Sequence, residues 1–183
     1  MARLKFPHSI DDAPEASRPA LRAVDQQLGF TPNSFKLMSL SPSALTGVVA
    51  LQGALARTTD ARTRDVVALA VSQANGCKYC LSAHSHTAAQ FNHATAEEIA
   101  LARQGRSADP KRQAAGIFAR RVIEERGKVT DADLEAVRNA GYNDKQIVEL
   151  VALAAQFLLT NFMNNVADTD IDFPPAPDDP TIA

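Results

Sequence analysis

The sequence predicts an all-α fold, because no stretch of it alternates between apolar and polar residues with the period of two that a β-strand produces. The composition agrees, since alanine is abundant, aromatic residues make up 5% of the chain and tryptophan is absent. Such a composition favours helices that pack closely through small side chains. With 183 residues, 45% of them hydrophobic, the chain is long enough for a sizeable core. We therefore expect a single domain over residues 1–183, built as a bundle of about eight to nine helices.

Capping residues, prolines and glycines divide this domain into its helices. Ser41-Pro42, for example, combines a capping residue with a proline at the first helical position. Gly47 and Gly53 lie within the helix that follows, where they are expected to allow close contact between helices. After an irregular arm over residues 1–13, the helices are expected to begin near Pro14, Asn33, Pro42, Asp60, Cys77, Thr95, Pro110, Thr130 and Asp144.

A weak internal repeat relates two of these segments. Residues 64–84 can be laid over residues 145–165 without a gap, and only the first copy carries cysteines and a histidine. We therefore expect the second copy to provide scaffold.

The residues that follow it, 167–183, are rich in proline and aspartate, and this tail is expected either to be disordered or to lie over a neighbouring surface.

The charge distribution excludes several classes of partner. The formal net charge is −2, so no basic surface indicates nucleic acid or anionic lipid.

The N-terminus has no apolar run of the kind that a secretory signal contains. The longest apolar stretch, residues 147–159, is interrupted by Glu149 and Gln156 and is shorter than the roughly 20 residues that span a bilayer. We therefore expect a cytoplasmic protein that binds neither nucleic acid nor a membrane.

Both cysteines of the chain lie in one short segment. Cys77 and Cys80 are three residues apart, and His84 follows four residues later, so a helix beginning here would place all three on one face. The N–H groups at a helix N-terminus stabilise a thiolate, a second thiol can close a disulfide, and an imidazole can move the proton. In a reducing compartment, cysteines at this spacing are seldom a structural staple. The segment therefore indicates a redox-active dithiol with its own base.

Asp65 is the carboxylate that could support this base. The residues after it are almost all apolar, and a carboxylate placed against His84 would orient the imidazole and raise its basicity. The alternative is a solvated aspartate paired with Arg62 or Arg64.

Other interpretations of the cysteines stay open at this point. Cys77 and Cys80 could be two small buried hydrophobic residues, or they could bind zinc or iron together with His84 and Asp65. A closed structural metal site usually has two pairs of ligands, and the sequence shows no second pair. A third possibility is a thiol sensor that forms the disulfide without turnover. Tyr79, between the cysteines, is expected to be a packing residue or to shield the thiols.

Residues 64–84 resemble the core of the AhpD-like superfamily, which includes alkylhydroperoxidase AhpD and the carboxymuconolactone decarboxylase family. The redox branch of that superfamily has an acidic residue twelve residues before Cys-x-x-Cys-x-x-x-His, and Asp65 stands twelve residues before Cys77. The resemblance covers roughly residues 43–105, and the flanking segments resemble the peroxidase-related branch. AhpD has a histidine between its cysteines where this chain has Tyr79, and a glutamate where it has Asp65.

The resemblance implies an AhpD-like all-helical bundle, a symmetric homo-oligomer, commonly a trimer or hexamer, and the reduction of hydroperoxides. Cys80 would be the thiolate that attacks the peroxide, and Cys77 the resolving thiol that meets the reductant. His84 would relay protons, with Asp65 in the place of the family's glutamate. The implied cycle uses no metal or other cofactor. The implied reductant is a dithiol such as a lipoylated protein or another thiol carrier. Lactone decarboxylation is disfavoured, because the decarboxylases do not use this cysteine pair.

Overall fold

The computed structural model describes residues 2–176, and within that range the regular structure is helical and no strand occurs. A short 3-10 turn, Glu15–Ser17, precedes nine α-helices in these residues. They are α1 (Arg18–Leu28), α2 (Asn33–Met38), α3 (Pro42–Leu55), α4 (Ala61–Ala74), α5 (Lys78–Asn92), α6 (Ala96–Arg103), α7 (Pro110–Glu124), α8 (Asp131–Asn139) and α9 (Asp144–Ala167). The predicted all-helical bundle is confirmed.

The helix starts lie where the local signals place them, with one exception. Ser41 accepts a hydrogen bond from the N–H of Ala44 at the start of α3, and Thr95 forms a capping box with Glu98 at the start of α6. The first helix begins at Arg18 rather than near Pro14, and a 3-10 turn fills the gap. Pro19 explains the difference, because it has no N–H for the bond that a continuous helix would need.

Helix α4 lies at the centre of the bundle and packs against α5, α6, α7 and α9. Three of its apolar side chains, Val67, Leu69 and Val71, are completely buried. The main core cluster joins α4 to α7, α8 and α9. The prediction that the helix after Asp60 is deeply buried is therefore confirmed, and its position explains how α5 and α9 meet at its C-terminal end.

The close helix contact predicted for α3 occurs at α7 instead. Within residues 2–176, no atom beyond the adjacent residues and the backbone of α3 itself lies within 4 Å of a Cβ built on Gly47 or Gly53. A Cβ on Gly116 of α7, however, would lie 2.5 Å from Cγ1 of Val66 and 2.6 Å from the carbonyl oxygen of Gly105. The glycines of α3 do not serve close packing within this chain, whereas Gly116 lets α7 approach α4.

Helix α9 is the one helix of the described residues whose length and hydropathy are those of a membrane span. It is also the core helix of the bundle, and 44% of its most apolar window is buried inside the protein. Several of its apolar side chains nevertheless face outward, including Val148, Phe162 and Val166. The helix thus has one face in the core and one apolar face that no other part of residues 2–176 covers.

Candidate functional site

The turn between α4 and α5 places both cysteines at the start of α5. Gly76 has a φ of 60°, and the N–H of Cys77 bonds to the carbonyl of Ser72 at 3.0 Å, so the chain reverses tightly after α4. Cys77 then caps α5, and its sulfur accepts the N–H of Cys80 at 3.2 Å. The two cysteines form a disulfide, with their Cα atoms 5.3 Å apart. The predicted redox pair is therefore present in its oxidised form.

The disulfide lies against a cavity of about 130 Å³ between α2, α5 and α9. Cys80 and His84 both line this cavity, whereas Cys77 does not. Its walls are largely apolar, and Phe35 and Met38 contribute to them. Cys77 is completely buried, and Cys80 is 4% exposed. A reductant could reach either sulfur only after the residues that cover them move, and the role of Cys77 as the thiol that meets the reductant stays a prediction.

His84 is one helical turn beyond Cys80 and shares the cavity with it. Its ring packs edge-on against Phe157 of α9, with the ring centroids 5.1 Å apart. Burial lowers the pKa of His84 to about 4, so the imidazole is neutral at pH 7. A neutral imidazole can accept a proton, but the same burial makes His84 a weak base, so a negative charge nearby is needed to stabilise its protonated form.

The predicted contact between Asp65 and His84 is not formed. The Asp65 carboxylate instead accepts a hydrogen bond from the side-chain amide of Asn92 at 2.7 Å. It lines a separate small cavity on the other side of the hairpin, together with Ala88 and Glu98. Burial raises the pKa of Asp65 to about 6, and the hydrogen bond from Asn92 opposes that shift. Asp65 therefore lies outside the cavity that Cys80 and His84 line.

Asn164 is the polar side chain near the cysteines that the sequence analysis missed. Its side-chain N–H lies 3.5 Å from the sulfur of Cys80 and also donates to the carbonyl of Thr160 at 2.9 Å. One turn earlier on α9, Asn161 donates to the hydroxyl of Ser72 and accepts from the amide of Asn75. Residues 145–165 were expected to provide scaffold, and α9 does support the cysteine hairpin, with polar groups as well as apolar ones.

The first part of the tail, residues 168–176, lies across α5. Asp172 accepts hydrogen bonds from the phenol of Tyr79 at 2.8 Å and from the N–H of Asn33 at 2.7 Å. The ring of Phe173 packs against Tyr79 and the cysteine pair. Of the two outcomes expected for the tail, this part lies over a neighbouring surface, and residues 177–183 lie outside the described residues. We call residues 168–176 the strap.

Tyr79 connects the strap to the cysteine pair. The side chain is buried, and burial raises the pKa of its phenol above the usual value, so the phenol remains protonated and donates to Asp172. Tyr79 thus packs beside the cysteines and anchors the strap, in line with its expected packing role.

The four residues that the sequence offers as metal ligands do not form a metal-binding group. Within residues 2–176, no group of three or more histidine, cysteine or acidic side chains has a geometry that could hold a metal ion. Asp65, the expected fourth ligand, faces Asn92. The structure offers no metal-binding arrangement at Cys77, Cys80 and His84.

Comparison with known families and structures agrees with this fold. Residues 42–125 match the carboxymuconolactone decarboxylase family. No curated protein matches the chain. An AhpD-core, uncharacterized peroxidase-related protein from Ralstonia eutropha JMP134 is 25% identical and superimposes with a TM-score of 0.81, over 93% of this chain and 92% of that one.

Two further solved structures have the same fold. A peroxidase-related protein from Silicibacter sp. TM1040 is 22% identical, with a TM-score of 0.78 over 92% of this chain and 91% of that one. The debrominase Bmp8 is 23% identical, with a TM-score of 0.76 over 93% of this chain and 92% of that one. A cysteine-to-alanine variant of Bmp8 has been solved in complex with 2,3,4-tribromopyrrole. The overlap extends well beyond residues 42–125 and includes almost the whole of each chain.

Proposed function

We propose that the chain is a thiol-dependent hydroperoxide reductase in which Cys80 attacks the peroxide and Cys77 resolves the product to a disulfide, as its match to the carboxymuconolactone decarboxylase family and its AhpD-like fold suggest. One observation carries the proposal. Cys80, within disulfide distance of Cys77, lies on the wall of a cavity that also contains the neutral imidazole of His84. A nucleophile, a base and a second thiol are thus arranged around a space that a small substrate can occupy.

The first half of the cycle oxidises Cys80. His84 accepts the proton of the Cys80 thiol, and the thiolate attacks the outer oxygen of the hydroperoxide. The O–O bond breaks, the sulfur gives up two electrons and becomes a sulfenic acid, and the inner oxygen leaves as an alkoxide. His84 returns its proton to this alkoxide and releases an alcohol. This role for His84 does not require Asp65.

The second half of the cycle uses Cys77. Its thiol attacks the sulfur of the Cys80 sulfenic acid, water leaves, and the disulfide forms. A dithiol reductant, such as the dihydrolipoyl group of a lipoylated protein, then reduces this disulfide and is itself oxidised to a disulfide. The reductant must reach one of two buried sulfurs, so we propose that the strap moves during this step.

The apolar walls of the cavity favour organic hydroperoxides over hydrogen peroxide. Each methylene group buried against these walls contributes about 0.8 kcal/mol of binding, which hydrogen peroxide cannot gain. Phe35, Met38 and Phe157 supply the surface for such contacts. We therefore expect a small alkyl hydroperoxide to react faster than hydrogen peroxide.

Trapping the sulfenic acid tests this assignment. In Cys77→Ser the resolving thiol is absent, so one equivalent of tert-butyl hydroperoxide should leave a sulfenic acid on Cys80 that dimedone labels and mass spectrometry locates. Cys80→Ser is the matched variant and should give no label. Labelling of Cys77 in Cys80→Ser, with none of Cys80 in Cys77→Ser, would reverse the two roles. No label in either variant would refute peroxide attack.

Turnover of the wild-type protein with a dithiol distinguishes the alternative functions. A thiol sensor would form the disulfide once but would not turn over with any dithiol. Because one solved structure of this fold is a debrominase, a bromopyrrole is the second substrate to try. Disulfide formation with the bromopyrrole and not with hydroperoxides would replace the proposed reaction by a reductive dehalogenation.

We also propose that the protein is a homo-oligomer, as the family resemblance implies, with α9 at its interface. The outward face of α9 carries Val148, Phe162 and Val166, which are 68%, 53% and 65% exposed. No charged residue occurs between Glu149 and Asp168. A helix that is apolar all round is normally covered on every side, so a second copy of this chain is the proposed neighbour.

Sedimentation analysis of Phe162→Glu tests this interface. The substitution should convert the oligomer to monomers, because it places a charge in a buried apolar contact. Phe91→Glu is the matched control, since Phe91 is 60% exposed but lies at the end of α5. An unchanged oligomer in Phe162→Glu, or equal dissociation in both variants, would refute the assignment.

A further inference from the structure

The orientation of the Asn164 side chain is fixed by its neighbours. Asn164 lies on α9, is almost completely buried, and donates its amide N–H to the carbonyl of Thr160 at 2.9 Å. A carbonyl oxygen can only accept, so the nitrogen of the amide, not its oxygen, must lie on this side. The same nitrogen lies 3.5 Å from the sulfur of Cys80. The group that faces the sulfur is therefore a hydrogen-bond donor.

Within residues 2–176, the Cys80 sulfur accepts one side-chain hydrogen bond, and its donor is the amide of Asn164. The backbone N–H of Cys80, at the start of α5, is directed to the sulfur of Cys77 instead. His84 is neutral, and Asp65 lies in another cavity. Before the Cys80 proton moves, none of these groups is a cation, so the amide of Asn164 is the hydrogen-bond donor that already lies at the sulfur where the negative charge develops.

We propose that Asn164 is a catalytic residue of the dithiol centre, whose amide N–H donates to the Cys80 sulfur and stabilises it as the thiolate. A disulfide sulfur accepts hydrogen bonds weakly, whereas a thiolate carries a full charge and accepts them strongly. The bond is therefore stronger in the reduced, reactive protein than in the disulfide form. The inference uses the proposed function only for the assignment of Cys80 as the attacking sulfur.

The other atom of the amide supports a functional role over a structural one. The side-chain oxygen of Asn164 is buried and accepts no hydrogen bond from any group within residues 2–176. A buried acceptor without a donor destabilises the fold, so an apolar side chain would serve packing better at this position. An asparagine here is explained by what its nitrogen does for the sulfur.

The test measures the pKa of Cys80 directly. In the Cys77→Ser background Cys80 is the one remaining thiol, and a pH titration of thiolate absorbance reports its ionisation without requiring any reagent to reach it. Asn164→Ala should raise the pKa of Cys80 by about one unit, which means about tenfold less thiolate at a pH below it. Asn164→Asp should raise it further, because a carboxylate would repel the thiolate. Asn165→Ala is the matched control, since Asn165 follows directly on α9 but donates to the carbonyl of Asn75.

Two results would overturn the inference. One is an unchanged pKa of Cys80 in Asn164→Ala, and the other is an equal rise in Asn165→Ala, which would indicate a general disturbance of α9. If circular dichroism shows that Asn164→Ala is unfolded, Asn164→Asp and the same-sized Asn164→Leu give the same comparison. Because the titration needs no peroxide, a protein that lacks peroxide turnover but shows the shift would refute the proposed function and leave this inference standing.

Discussion

The strap should control how fast a reductant reaches the disulfide. Cys77 is completely buried and Cys80 is 4% exposed, while Phe173 of the strap packs against both. A thiol must approach a disulfide in line with the S–S bond, so reduction requires that the strap first move away. If this opening is rapid and reversible, the rate of reduction is proportional to the fraction of molecules that are open.

The hydrogen bonds of Asp172 give the size of the effect. Its carboxylate accepts from the phenol of Tyr79 at 2.8 Å and from the N–H of Asn33 at 2.7 Å. A buried hydrogen bond to a charged acceptor contributes about 1.5–3 kcal/mol of stability. Because Asp172 is exposed, we assign about 2 kcal/mol to its two hydrogen bonds together. Since each 1.4 kcal/mol is about a factor of ten, Asp172→Ala should increase the open fraction about thirtyfold. Tyr79→Phe removes one of the two bonds and should have about a fivefold effect.

The assay is the reduction of the purified disulfide form by excess dithiothreitol, followed by acid quench and mass spectrometry. Asp12→Ala provides the matched control, because Asp12 is also an exposed aspartate that accepts two hydrogen bonds, both from Ser9, in the N-terminal arm. Reduction of Asp172→Ala at the rate of the control would refute the argument. It would show that the sulfurs are reached without moving the strap.

Three further predictions concern stability. Burial raises the pKa of Asp65 in the folded protein to about 6, so the wild type loses stability as pH rises from about 4 to 6. By pH 7, Asp65→Asn should therefore be more stable than the wild type by about 2–3 kcal/mol. Urea unfolding of both proteins at pH 3.5 and pH 7 checks this. Burial lowers the pKa of His84 in the folded protein to about 4, so the free energy of unfolding of the wild type should fall by up to about 3 kcal/mol between pH 6.5 and pH 4. An equal fall in His84→Gln would show that His84 is not the cause. Gly116→Ala should lower the melting temperature through about 1–3 kcal/mol of overpacking against Val66, whereas Gly53→Ala, in open space, should be neutral or stabilising.

The parts of the fold that could be predicted from the sequence are those set by neighbouring residues. The capping box of Thr95 and Glu98 is contained within four residues, and so is the turn that ends α4 at Gly76. The placement of Cys80 and His84 on one cavity also follows from local spacing, because both lie on α5 one turn apart. Such signals do not depend on how the helices pack.

Asp65 shows where local spacing fails. The number of residues between Asp65 and Cys77 is fixed, but which residue of α5 lies opposite Asp65 depends on how α4 and α5 pack. Asp65 lies nine residues before the end of α4, and His84 lies six residues after the start of α5, which is a difference of about 5 Å along the axes. Asp65 therefore lies nearer to Ala88, in the other cavity.

The contacts of Asn164 and Asp172 could not be predicted for a different reason. Asn164 meets Cys80 across 84 residues of sequence, and Asp172 meets Tyr79 across 93. These contacts are produced by the packing of α9 and the strap against α5. The one available signal was the presence of polar residues in an otherwise apolar helix, with Asn161 and Asn164 three residues apart.

The most direct test of the central claim is the stoichiometry of oxidation by a hydroperoxide. The reduced protein is mixed with limiting tert-butyl hydroperoxide, quenched in acid at successive times, and analysed by mass spectrometry, because the chain has no tryptophan to report the reaction by fluorescence. The account predicts that each peroxide consumed yields one Cys77–Cys80 disulfide and one alcohol, and that Cys80→Ser consumes none. Thiols that remain reduced while the peroxide persists, or peroxide loss at the same rate in Cys80→Ser, would contradict it.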